Sequence, residues 1–213
     1  MAAEYLPHKE IGGDYYDCIW LNEDELVFCV ADISGKGIAA ALLMANFQAN
    51  LRALIKQDVS LEIFVHLLNE NVKHITKGEK FITLFLAKVN LKDRTLAYVN
   101  AGHNPPLLCN ANSITQLDKG CTILGMFDHL PIIQVDELDF QNGALILTYT
   151  DGLTDLENEE NEFFEMERLI EFAKTNIDEE PEEFNRKLMQ KLKAFKGKRS
   201  FVDDITILTS RLH

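Results

Sequence analysis

The chain lacks any long apolar run. No stretch approaches the roughly 20 residues needed to span a bilayer, and no signal peptide opens it. A cytoplasmic domain is therefore expected. It also lacks a basic excess: 34 acidic against 21 basic side chains leave a formal net charge of −13. That balance argues against nucleic acid as a partner and suits a cation binder better. The four cysteines, Cys18, Cys29, Cys109 and Cys121, contain no C-x-x-C pair and read as buried free thiols in a reducing compartment. Two catalytic signatures are missing as well. "SGKG" is not the phosphate loop G-x-x-x-x-G-K-[ST], and Ser34 in "DISGK" is not the serine of G-x-S-x-G, so its company with His103 does not make a serine hydrolase. With no internal repeat, low-complexity linker or composition break, 213 residues at 46% hydrophobic read as one globular domain.

Hydrophobic periodicity is present in quantity. After "GKG", Leu43, Phe47, Leu51 and Leu54 share one helical face, and after Ser60 so do Leu61, Phe64, Val65, Leu68, Val72 and Ile75. These predict an antiparallel helix pair. From Phe81 to Leu117, short β-rich runs separated by "KDR", "GHNPP" and "NAN" predict a meander of strands. Two further strands are expected at "IIQVDEL" and "ALILTYT", helices near 163–175 and 182–195 with Pro181 at a favoured first position, and a last strand at "DDITILT". This order predicts an α+β fold in which two stacked antiparallel sheets are flanked by helix pairs. Tyr15, Tyr16 and Trp20 fall at strand positions and read as core or interface. His103 reads as a turn residue bonded to backbone.

Carboxylates mark the strand ends. "LVFCVAD" ends at Asp32 and "ALILTYTD" at Asp151, while "GGDYYD" opens a strand at Asp14 and "DDITILT" opens another at Asp203 and Asp204. In antiparallel pairs the end of one strand lies beside the start of the next, so all of these can share one edge. If the first turn centres on Glu23, Asp14 falls opposite Asp32. Like charges facing each other across a ladder destabilise unless a cation lies between them. Carboxylates, carbonyls and water suit a hard ion, Mg²⁺ or Mn²⁺, rather than Zn²⁺. Gly12 and Gly13 permit close backbone approach, and "SGKG" makes a tight turn that offers a carbonyl beside Asp32.

In this order "EIGGDYYD", "VADISGKGIAAALLMA", "YVNAGHNPPLL", "ILTYTDGLTD" and "DDITIL" resemble the bacterial metal-dependent serine/threonine phosphatases of the stage II sporulation protein E and sigma-factor-regulating type, distant relatives of the eukaryotic type 2C phosphatases. The resemblance runs from about Ala3 to Leu208. It implies an α-β-β-α sandwich with two divalent cations, Mn²⁺ or Mg²⁺, between the sheets, and hydrolysis of phosphoserine or phosphothreonine by a metal-activated water. Carried over by motif, Asp32 bridges both metals, the Ile33 carbonyl and Asp14 serve one, and Asp151 and Asp203 serve the other. Asp17, Asp204, Gly13, Gly35 and Gly152 support this set. The arginine that holds phosphate in the eukaryotic branch has no counterpart near the first motif, where the nearest is Arg52, which leaves Lys36 as the candidate phosphate contact.

Family substrates are phosphorylated regulatory proteins such as anti-sigma-factor antagonists. The chain resembles an excised catalytic domain, so an activating partner or sensory region is expected on its N-terminal side. The exposed faces of the first two helices offer a homodimer surface. The rival expectation is a phosphatase-like module that binds partners without catalysis.

Overall fold

In the computed structural model, which describes residues 1–8, 11–57 and 59–213, the chain begins with an edge strand, β1 (Ala2–Leu6), that its sequence pattern does not announce. Glu10 of the first motif lies outside the described residues. Strands β2 (Tyr15–Trp20) and β3 (Glu25–Ile33) then form a hairpin whose pairs run from Tyr15 opposite Ala31 to Trp20 opposite Leu26. That is the register of a turn centred on Glu23. Asp14 stands one step beyond the last pair, on the level of Asp32.

Helix α1 (Ile38–Leu54) buries Ala40, Leu43, Phe47 and Leu51, and α2 (Leu61–Thr76) buries Phe64, Val65, Leu68 and Val72. The second helix starts at Ser60, whose hydroxyl accepts the Ile63 N–H at 3.3 Å, and stops where Lys77 turns left-handed. Strands β4 (Ile82–Asn90), β5 (Thr95–Ala101), β6 (Leu107–Asn110), β7 (Ser113–Gln116), β8 (Gly120–Cys121), β9 (Asp136–Asp139) and β10 (Ala144–Tyr149) follow. A single turn, α3 (Asp151–Thr154), leads to α4 (Glu165–Thr175), α5 (Pro181–Lys196), with Pro181 in its first turn, and the last strand β11 (Ile205–Leu212).

One sheet has the order β1-β11-β10-β6-β7 and the other β2-β3-β4-β5-β8, with β9 added to β5. Three apolar cores separate the layers. One lies between α1, α2 and the second sheet, one between α4, α5 and the first, and one between the sheets, where Phe28, Val30 and Phe85 meet Leu108, Ile146 and Leu208. This is the α-β-β-α sandwich expected from the order of elements.

Four expectations need correction. The run from Phe81 to Leu117 is not one meander, because β4 and β5 belong to one sheet and β6 and β7 to the other. The chain crosses between sheets at "GHNPP", where a proline pair cannot extend a ladder. The strand expected at "IIQVDEL" begins only at Asp136, and Ile132 before it is 72% exposed. The two-residue β8 runs parallel to β5, so the second sheet is not wholly antiparallel. Cys29 and Cys109 are buried free thiols, but Cys18 and Cys121 are only part-buried. Tyr15 is core, while Tyr16 and Trp20 stand exposed. No helix among the described residues is long and apolar enough to cross a membrane.

Candidate functional site

Alternation along β3 decides what Asp32 faces. Leu26, Phe28 and Val30 pack between the sheets, whereas Val27, Cys29, Ala31 and Ile33 pack toward the helices. Asp32 therefore follows Val30 to the gap between the sheets, and Asp14 follows it across the hairpin. From the other sheet, Asp151 lies two residues after the end of β10, and Asp203 and Asp204 precede β11, whose partner strand is β10. The site thus lies where the open ends of both sheets meet.

The field these groups create is visible in their acidities. Burial pushes the Asp14 carboxyl up to about 7, Asp32 and Asp204 add to the shift, and the Thr206 and Thr150 hydroxyls oppose it. Asp32 is raised to about 6 by burial and then by Asp151, Asp203 and Asp204, with Lys36 countering. Asp151 is raised by burial and by Asp203. Each carboxylate is costly to ionise first because it is buried and then because the others are near.

Positioning is specific. Asp14 Oδ2 accepts hydrogen bonds from Thr150 Oγ1 at 2.7 Å and Thr206 Oγ1 at 2.6 Å, both threonines fully buried. Asp204 accepts the backbone N–H groups of His8 and Gly13, each at 2.7 Å, and so fastens the segment before β2 to the start of β11. A Cβ on Gly13 would lie 3.0 Å from the Ile33 carbonyl oxygen and 3.6 Å from both Asp32 Oδ1 and the Gly35 carbonyl oxygen. The three atoms nearest to that position are therefore all oxygens. Gly35 has a left-handed φ of 97°, and Gly152 admits the Asp204 carbonyl against its α-carbon where a side chain would collide. Lys36 Nζ pairs with Asp203 Oδ1 at 2.9 Å and donates to the Val202 carbonyl at 3.3 Å.

Asp17 does not join this set, which corrects its expected place in support of the centre. It lies on the opposite face of β2, where Arg52 on α1 pairs with it at 2.7 and 2.8 Å and Tyr15 Oη donates at 2.5 Å. Burial works against its ionisation, but Arg52 and Tyr15 outweigh that and hold its carboxyl below the usual range. Arg52 is thereby committed to tying α1 to β2. Among the described residues, the one set of three ligating side chains whose donor atoms lie within 4.8 Å of one another is elsewhere, at His66, Glu70 and His129. The aspartates spread more widely, as like charges do. A cleft of about 700 Å³ bounded by Trp20, Arg52, Lys56 and Phe64 is likewise remote from them, on the helix side.

Three residues that the sequence reading missed or undervalued hold the site in place. Thr150 directly precedes Asp151 and Thr206 lies two residues after Asp204, so a hydroxyl beside each motif aspartate was the available signal. His103 is buried, and its Nδ1 lies 2.9 Å from Thr83 Oγ1 and its Nε2 3.1 Å from the Tyr149 carbonyl oxygen. Thr83 pairs with Asp32 in the ladder, and Tyr149 is two residues before Asp151. His103 thus braces one sheet against the other directly behind the carboxylates, and burial holds it neutral by lowering its pKa to about 4.

Removing the threonine hydroxyls tests the placement of Asp14. With Thr150→Val and Thr206→Val, Asp14 should lose its donors, become harder to ionise, and bind Mn²⁺ about 10–100-fold more weakly, as supporting-partner losses do. Calorimetric titration at pH 8 reads this directly, and unchanged affinity in both variants would remove the threonines from the argument.

Comparison with known proteins agrees with the fold. The sequence profile of "Stage II sporulation protein E (SpoIIE)" matches residues 22–213. Protein IcfG of Synechocystis sp. is 27% identical over 97% of this chain and 37% of its own length. The phosphoserine phosphatase RsbU of Bacillus subtilis is 28% identical over 80% of this chain and 52% of its own. The chain therefore spans about half or less of these curated relatives. Among solved structures, the SiaA-PP2C domain of Pseudomonas aeruginosa superposes with a TM-score of 0.89 at 20% identity, over 100% of this chain and 85% of that one.

Proposed function

The chain belongs to the stage II sporulation protein E family, and on that premise we propose that it is a metal-dependent protein phosphatase acting on phosphoserine or phosphothreonine of a regulatory protein, such as an anti-sigma-factor antagonist. The observation that supports the reading is the gathering of strand-end carboxylates toward one edge of the sandwich, Asp14 and Asp32 from one sheet and Asp151 and Asp203 from the other.

The donor chemistry fits two hard cations. The candidate donors there are carboxylate and backbone carbonyl oxygens, which suit Mn²⁺ or Mg²⁺. Asp32 and the Ile33 carbonyl would hold one with Asp14, and Asp32 would share the other with Asp151 and Asp203. Bound there, divalent cations offset the carboxylates, attract a phosphate dianion and make water acidic enough to attack phosphorus at neutral pH.

The chain's own groups do the rest. Thr150 and Thr206 occupy Oδ2 of Asp14 and so leave Oδ1 for ligation. Asp204 holds Gly13 near Ile33, and His103 ties Thr83 of β4, the ladder partner of Asp32, to Tyr149 at the end of β10. Lys36, about half exposed beside Asp203, would turn its ammonium toward a phosphate at the rim.

The test is hydrolysis of a generic phosphate ester and of a phosphoserine protein while Mn²⁺ is titrated. Turnover should rise with metal, vanish with chelator and be lost in Asp151→Ala. Silence at every metal concentration, in a chain that is folded, would instead favour the partner-binding alternative. The activating partner acts in this reading through α1, which begins six residues after Asp32. A homodimer would use the outer faces of α1 and α2, where Ile38, Leu42 and Ile63 are all more than half exposed.

A further inference from the structure

We propose that His66, Glu70 and His129 form a second metal site, for a borderline divalent cation with Zn²⁺ foremost, which staples α2 to the segment after Leu124. His66 and Glu70 are four residues apart on α2 and so share one face of the helix. His129 arrives there from the connection between β8 and β9. The donor atoms of all three lie within 4.8 Å of one another. His66 Nε2 is already 3.3 Å from Glu70 Oε1, close to the spacing of about 3.3–3.6 Å between donors of a tetrahedral ion with bonds of roughly 2.0–2.2 Å. The two imidazoles lie nearly parallel, 14° apart at a centroid distance of 6.0 Å. Glu70 and His129 are exposed and His66 is half-buried, so small side-chain rotations bring the remaining donors to bonding distance.

The backbone around the three residues is built in advance. Asn69, fully buried, accepts the Gly125 N–H at 2.9 Å and donates to the Phe127 carbonyl at 3.1 Å, and Lys73 Nζ donates to the Met126 carbonyl at 3.0 Å. Residues 66, 69, 70 and 73 thus form one stripe of α2 directed at residues 125–129. His66 also lines a shallow cleft with Ile63, Pro131 and Ile132, which leaves room for water as a fourth ligand. Two nitrogens and one carboxylate favour Zn²⁺, Co²⁺ or Ni²⁺ over Mg²⁺, whereas the aspartate set favours the hard ions. The two sites are therefore chemically separable. Leu124, where the stapled segment begins, bridges Ile82, which pairs with Ile33 next to Asp32.

The test uses the full chain in saturating Mg²⁺, with Zn²⁺ titrated against a micromolar indicator and Co²⁺ followed by its visible absorption. One equivalent of Zn²⁺ is expected, retained in Asp151→Ala and weakened at least about tenfold in His66→Ala and in His129→Ala. Melting in Mg²⁺ alone shows whether those variants are folded, and Glu70→Gln, which keeps shape and removes charge, should weaken binding too. Zn²⁺ should also slow amide exchange across residues 125–130 in the parent and not in the histidine variants. No binding beyond the aspartate centre, binding indifferent to both histidine variants, or binding that leaves exchange in this segment unchanged would each overturn the proposal.

Discussion

Asp32→Asn is expected to lower metal-dependent phosphate release by about 10³-fold or more while making the metal-free chain more stable at pH 8. The first effect follows from its position: Asp32 lies in the gap between the sheets, its acidity raised first by burial and then by Asp151, Asp203 and Asp204. Its loss should exceed the roughly 10–100-fold cost of losing a supporting partner. The second effect follows from burial together with the repulsion of these neighbours. A carboxyl held up at about 6 is charged at pH 8 against the opposition of its surroundings, and an amide of equal size removes that opposition, on the order of 1–3 kcal/mol. Chelated melting curves and turnover in Mn²⁺ read the two effects separately. Turnover within about tenfold of the parent would remove Asp32 from the centre, and a less stable chelated variant would contradict the electrostatic account.

The pH dependence of stability should reverse its meaning when metal is added. Asp14 and Asp32 have raised acidities in the folded chain, about 7 and about 6 against an ordinary 3.8. Groups of this kind keep the folded state's proton as the unfolded chain ionises, so their contribution is full at pH below about 4 and is lost as pH rises through 6 and 7. In chelator, melting temperature should therefore carry a downward component between pH 5 and 8. Ligation requires the ionised carboxylates, so saturating Mn²⁺ takes over as that component grows. At about 100 times the dissociation constant, each bound ion adds about 2.7 kcal/mol, and for a chain of this size two ions should raise the melting temperature by about 10 °C or more at pH 8. The gap between metal-loaded and chelated curves should narrow steadily toward pH 5. Parallel curves would mean that metal does not bind at these carboxylates.

What the sequence made legible, and what it hid, divides along one physical line. The order of elements, the Glu23 turn and the strand-end aspartates are local signals, each set by alternation or a turn within a few residues, and the hairpin register could be counted from them. The split of the supposed meander between two sheets is a tertiary choice, since β4 to β7 have the same local pattern whichever sheet receives them. β9 is short and half exposed, so the apolar residues before it looked more like a strand than it does. Asp17 and Asp14 are three residues apart and look alike in sequence. Only the odd spacing, which sends them to opposite faces, separates the Arg52 tie from the carboxylate between the sheets. Thr150, Thr206 and His103 were hidden because their partners are distant in the chain, although every one of them lies within a motif.

That distance has a kinetic consequence. Asp14 and Thr206, joined by one hydrogen bond, are 192 residues apart, and β1 pairs with β11 across nearly the whole chain. Closing such loops costs chain entropy that no local contact returns beforehand. The sheet of β2 to β5 can form early from neighbouring hairpins, but it contributes only Asp14 and Asp32. A chain emerging from the ribosome thus acquires a complete set of carboxylates only after residue 204 has appeared. Until then every partly folded form lacks the second half of its centre, and maturation of activity should trail the appearance of secondary structure in refolding.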